Sequence, residues 1–335
     1  MTTAVTSRSH RYDRWSGELN KGRWTWLTIV VTGIRLALKG QVTRVLVMTS
    51  GLVVLGGCIV LYIVSLLEVV VGTDQARGLF EFVQVFLRVD ISGVAQIEQF
   101  REPLWRSMFL LTIKIQMLWL LLVVARVGPG LIARDLRSRA LPIYFAKPVT
   151  PLTYLIGKWL VVACFIALVT LIPNLLTLTI GSMITGGLHT WSQTLSLALE
   201  LIFSGALVCL VGGTIILALS SLTSDHRYVA VAWVAVCVLT MIAQGIIDEN
   251  LPPEATTGWL GCISLRDNMV VLTEWLFGIR EAWEASALPT EAFSRALVRP
   301  VEPIYAAVVL GAWTVAAILV CFQRVIRFSR SAANL

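Results

Sequence analysis

Five stretches of this chain run for 20 residues or more without a single Asp, Glu, Lys or Arg: Val45–Leu67, Trp159–Leu199, Leu201–Ser224, Tyr228–Ile247 and Pro303–Gln323. A helix of about 20 residues is about 30 Å long, the thickness of the hydrocarbon core of a bilayer. Charged residues make up only 14% of the chain and hydrophobic ones 57%, against about 25% charged in an ordinary soluble domain. A soluble fold of this size buries only about three quarters of its surface, so it could not hide this much apolar side chain. The pattern excludes a soluble globular fold and a disordered chain. It predicts an all-α polytopic membrane protein.

The 41-residue stretch Trp159–Leu199 is too long for one crossing. Its reversal is expected at Gly186-Gly187-Leu188-His189, where glycines permit a turn. A further span, Ser107–Ala125, is apolar except for Lys114. Six transmembrane helices follow, at 45–71, 105–127, 155–180, 195–220, 228–248 and 303–323. Barrel strands would instead alternate in short segments.

Charge sets the expected orientation. The segment up to Arg44, the loop Arg126–Lys147, Lys158, Arg227 and the tail residues Arg324, Arg327 and Arg330 together hold 18 of the 27 basic residues. Segments 72–106 and 248–302 hold eight, with 14 of the 20 acidic ones. The positive-inside rule then puts both termini in the cytoplasm of a cell, with the bacterial inner membrane as the expected location. The basic excess is thereby assigned to inner loops and membrane lipid, not to nucleic acid. The chain divides into a tail and elbow over 1–44, a six-span domain over 45–323 and a tail over 324–335. The first 26 residues carry no apolar core of a signal peptide.

Residues 24–40 place Leu27, Val31, Ile34 and Leu38 on one helical face and Thr25, Thr28, Thr32, Arg35 and Lys39 on another. That spacing predicts an amphipathic helix lying in the membrane interface. The outer segments 72–106 and 249–300 are expected to form short helices on the outer ends of the spans, since structureless loops of that length are uncommon. Gly205, Cys209 and Gly213, four residues apart, predict a groove for close helix approach. Five of the six cysteines fall inside spans, and they read as small packing residues.

Between the second and third spans lies Gly130-Leu131-Ile132-Ala133-Arg134-Asp135-Leu136-Arg137-Ser138-Arg139-Ala140-Leu141-Pro142, which reads as a charged helix of about three turns over 131–141. It continues through Ala146-Lys147-Pro148-Val149 to Gly157-Lys158 at the next span. Asp135 is the lone acid here, and its local expectation is a salt bridge to an arginine one turn away. This stretch resembles the first cytoplasmic loop of type-2 ATP-binding-cassette (ABC) transporter permeases. That family has an arginine–acid pair, a small-residue step, a Lys-Pro-Val segment and a Gly-Lys in this order. Asp135 stands where a glutamate is common, and Arg139 where a glycine is common.

The resemblance implies a permease subunit of an exporter that forms a dimer, homodimeric or with a related permease, and binds two cytoplasmic ABC ATPase subunits. Docking would fall on a coupling helix comprising Leu131, Arg134, Asp135, Leu136, Arg137, Ser138, Arg139 and Leu141. A second cytoplasmic contact would comprise Ser221, Thr223, Asp225 and Arg227. No phosphate-binding loop is present: Gly157-Lys158 lacks a glycine five residues earlier. No cofactor is therefore expected on this chain, and ATP with Mg is assigned to the partner ATPase. The residues leave two alternatives, a structural scaffold and a proton- or ion-coupled secondary transporter using the intramembrane charges Glu68, Lys114 and Glu200. Topology puts those three in the outer third of the membrane, where snorkelling or a Lys114–Glu200 pair would satisfy them.

Overall fold

The computed structural model describes residues 25–70, 94–141, 144, 150–185, 191–285 and 300–333. Helix α1 spans Thr25–Leu38, α2 Gln41–Ser50 and α3 Leu52–Val70, followed by α4 Val94–Val127 and the short α5 Ala133–Arg137. Then come α6 Pro151–Val169, α7 Leu171–Thr185, α8 Trp191–Leu222, α9 His226–Asn250, α10 Leu265–Leu276, α11 Ile279–Ala285 and α12 Pro303–Ala333. No strand occurs among the described residues. Six stretches are long and apolar enough to cross a membrane: Gln41–Ile63, Glu102–Val127, Pro151–Ile184, Ser192–Leu222, His226–Asn250 and Pro303–Arg327. Without water in the bilayer core, each backbone polar group must be satisfied within its own helix. Span hydroxyls obey the same constraint, as Thr112, Thr214 and Thr240 each donate to the carbonyl four residues back.

The six expected spans are all present, with two refinements. The first begins at Gln41, inside the segment assigned to the tail, and is stepped at Gly51 between α2 and α3. The third is broken at Thr170 between α6 and α7. The expected reversal at 186–189 lies outside the described residues. Helices α6–α7 and α8 run antiparallel, because Gly205 meets Leu171 while Gly213 meets Trp159.

The small residues of α8 serve this packing. A Cβ on Gly205 would sit 3.0 Å from Leu171, and one on Gly213 would sit 2.8 Å from Trp159. Cys209 Sγ lies 3.5 Å from the Ala163 carbonyl oxygen. Span Ser192–Leu222 is accordingly the most enclosed, with 67% of its most apolar residues buried, against 11% for His226–Asn250.

The segment 249–300 departs from expectation. Its helices are inserted between the spans instead of resting on their ends. From the end of α9 the chain turns back through two 3-10 turns, Pro253–Thr256 and Trp259–Cys262, to the level of Lys114, whose carbonyl accepts from Arg266 Nη2 at 3.3 Å. Helix α10 then climbs along α4 and α8. Ser204 and Thr273 hydroxyls meet at 3.0 Å, and Trp283 Nε1 donates to Ser107 Oγ at 2.8 Å. Buried Gln244 of α9 holds the descending arm, donating to the Leu260 carbonyl and accepting from Ile263 N–H at 3.0 Å. Leu265 and Met269 are buried, and so are Asn268, Val270, Val271, Thr273 and Glu274. A helix buried on nearly all sides is a core element. The segment 71–93, the residues 286–299 and the side chain of Glu68 lie outside the described residues.

Candidate docking surface

Helix α5 has five residues, too few to be stable alone. It is held by a side chain from α8. Ser220, fully buried, accepts from Ile132 N–H and Ala133 N–H, each at 3.1 Å, and donates to the Pro129 carbonyl at 2.8 Å. These bonds satisfy two amides that a helix start leaves unpaired. The approach is tight, since a Cβ on Gly128 would lie 2.3 Å from Ile216.

The other end of α5 closes in a Schellman motif. Ala140 N–H donates to the Asp135 carbonyl at 2.9 Å and Arg139 N–H to the Leu136 carbonyl at 3.2 Å. Arg139 therefore adopts φ 52°, in the left-handed region. This gives a physical reason why glycine is common there, for glycine enters that region without a Cβ clash. The motif ends α5 at Arg137, so the three-turn helix expected over 131–141 is shortened to Ala133–Arg137.

Asp135 points into the protein. Its Oδ2 sits 2.8 Å from Lys158 Nζ and accepts from Tyr154 Oη at 2.6 Å. The Asp135 and Lys158 side chains are only 13% and 15% exposed. The arginine one turn away, expected as its partner, is replaced by a lysine on α6. Lys158 also lies 5.4 Å from the Tyr154 ring centroid, and Tyr144 packs on Tyr154 at 6.0 Å. Partial burial and then the Asp135 charge raise the Tyr144 phenol above its ordinary pKa.

The residues assigned to docking thus separate into two groups. Leu131 and Leu141 are buried, Leu136 is half-buried against the core, and Asp135 is paired internally. Arg134, Arg137, Ser138 and Arg139 are exposed. In the second group Ser221 is buried, with its hydroxyl on the Ala218 carbonyl, so it presents nothing to a partner. Thr223 accepts from Asp225 N–H, and Asp225 caps α9 by accepting from Arg227 N–H at 3.0 Å. Arg227 is exposed. The exposed surface is consequently basic.

The intramembrane charges also move from their expected places. Lys114 lies midway along the apolar stretch Glu102–Val127. With Arg266 it lines a mostly apolar cavity of about 280 Å³ between α4, α9 and α10. Glu200 pairs with Arg106 at 2.7 Å instead of with Lys114. Arg106 also binds Glu102 at 3.0 Å and the Phe277 carbonyl, tying α4, α8 and the inserted segment together.

The sequence matches the family described as ABC-2 family transporter protein over residues 21–332. The chain belongs to the ABC-2 transporter permease family. No curated protein matches it. The permease match extends from the tail before α1 into the last turns of α12, so it takes in both motifs of the loop between the second and third spans. The structure joins those motifs, for the acid of Arg134-Asp135 bonds the lysine of Gly157-Lys158. Tyr154 and Ser220 complete the assembly, and the sequence reading assigned neither of them this role. Tyr154 lies one turn before Lys158 on the same helix face, a spacing from which its role could have been found.

Proposed function

We propose that this permease is one half of an ABC exporter, with two copies or related permeases in its membrane pair and two ATPase subunits on the face bearing α5. The observation that carries the reading is the mounting of α5. A five-residue helix is anchored at its start by Ser220 and at its centre by the Asp135–Lys158 pair, with Arg137 and Arg139 directed outward. A segment fixed to two spans transmits displacement in both directions. Its basic exposed face suits an acidic or carbonyl-rich groove on the ATPase, through charge-assisted bonds desolvated on docking. ATP and Mg belong to that partner.

The face bearing α1, α5 and the 222–226 turn is assigned to the cytoplasm, with both termini, in a bacterial inner membrane. The second permease copy is assigned to α9, the least enclosed span. Ion-coupled transport is less well supported, because Glu200 is engaged by Arg106 and Ser196. Purification from native membranes should recover an ABC ATPase at two copies per permease pair. A cysteine at Ser138 should resist an impermeant reagent on intact cells while one at Asn250 reacts. A permease that purifies without an ATPase and transports on a proton gradient alone would overturn the proposal.

A further inference from the structure

A cavity of about 660 Å³ opens between α1, the α1–α2 junction, the end of α4, α5 and the start of α6. We propose that it binds the headgroup of an anionic phospholipid from the leaflet on the α5 face.

Its charges are Arg126, Arg134, Lys158 and Asp135. Asp135 is committed to Lys158, which leaves two guanidinium groups over a mostly apolar floor. Neither makes an ion pair among the described residues. Guanidinium forks match phosphate oxygens in pairs, and a phosphodiester supplies the missing charge.

A glycine makes room for one of the two arginines. A Cβ on Gly130 would lie 2.7 Å from Arg134 Nε and 2.9 Å from its Cζ. Gly130 has no positive φ, so room for the guanidinium accounts for glycine at this position, and backbone torsion does not. The same device brings α1 against the cavity's far wall. A Cβ on Gly157 would meet Ile29 at 3.0 Å, and one on Gly33 would meet Val161 at 2.6 Å.

The occupant is a lipid and not a free anion because of what surrounds the charges. Thr28, Thr32 and Leu36 of α1 face the cavity, while Leu27, Val31 and Leu38 of the same helix are exposed as they would be to acyl chains. A headgroup seated between the arginines can run its chains along that exposed face, as an interfacial helix allows. A soluble phosphate would leave the apolar floor uncovered.

The test is read on the purified permease alone, so its outcome is independent of whether an ATPase docks at α5. Native mass spectrometry measures retention of phosphatidylglycerol, with phosphatidylcholine as the neutral lipid and inorganic phosphate as the soluble competitor. Phosphatidylglycerol should bind about tenfold tighter than phosphatidylcholine and resist displacement by phosphate. Arg126→Gln with Arg134→Gln should weaken it about tenfold or more, given the strength of hydrogen bonds to charged groups. Thr32→Trp, which fills the cavity without changing charge, should also weaken it, and Arg35→Gln, on α1 but outside the cavity, should not. Native retention in both cavity variants, an equal loss in Arg35→Gln, equal binding of phosphatidylcholine, or displacement by phosphate would each overturn the lipid site.

Discussion

Replacing Ser220 with alanine removes one oxygen and strands three backbone groups. Ile132 N–H and Ala133 N–H lose their acceptor, and the Pro129 carbonyl loses a donor, at a site with no solvent exposure. Loss of a helix-capping acceptor costs about 1 kcal/mol, and a buried unsatisfied donor about 1–3 kcal/mol. The effects overlap because the amides share one acceptor, so local destabilisation should be about 2–3 kcal/mol. At 1.4 kcal/mol per factor of ten, amides 132–137 should exchange with deuterium about 30- to 140-fold faster. Ser221→Ala is the internal control. That hydroxyl donates to a carbonyl three residues back in its own helix, so its loss should cost under about 1 kcal/mol and leave α5 protected. The reasoning is refuted if Ser220→Ala leaves exchange at 132–137 unchanged, or if Ser221→Ala accelerates it equally.

Three further outcomes follow from the same geometry. Asp135→Asn should destabilise the α5–α6 junction by about 2–3 kcal/mol by leaving Lys158 without its carboxylate, and Asp135→Lys with Lys158→Asp should restore part of that loss in a double-mutant cycle of unfolding free energies. Arg139→Gly should stabilise the turn by about 0.5–1 kcal/mol, since relief of left-handed strain exceeds the added chain entropy; Arg139→Ala should give no gain in the same measurement. Arg106→Ala should loosen the inserted segment by about 2–4 kcal/mol by leaving Glu200 without its cation and the Phe277 carbonyl without this donor, which limited proteolysis between Leu265 and Ala285 would detect.

The spans were legible because bilayer thickness imposes a length and a lack of charge that any stretch such as Tyr228–Ile247 displays directly. The close packing of α8 was also legible, since Gly205 and Gly213 recur at helical spacing. What sequence spacing could not convey was pairing across elements. Asp135 has three arginines within four residues, yet its partner is Lys158, 23 positions away, because the Schellman turn directs Arg137 and Arg139 outward. Ser220 and Ser221 are adjacent and chemically identical, and only their rotation on α8 decides which one caps α5. Segment 249–300 was long enough to expect helices, but the depth to which it inserts is fixed by Gln244 and Arg266, whose bonds to distant parts of the chain go to backbone atoms with no sequence signature.

The exposed arginine face of α5 is the surface on which an ATPase is proposed to dock. A photo-crosslinking amino acid placed at Arg137 tests this directly in intact membranes, with the same probe at exposed Trp275 on α10 as the comparison. An ATPase adduct is expected from position 137 and none from position 275. Absence of an adduct at 137 in membranes where the ATPase co-purifies, or an equal adduct from 275, would contradict it.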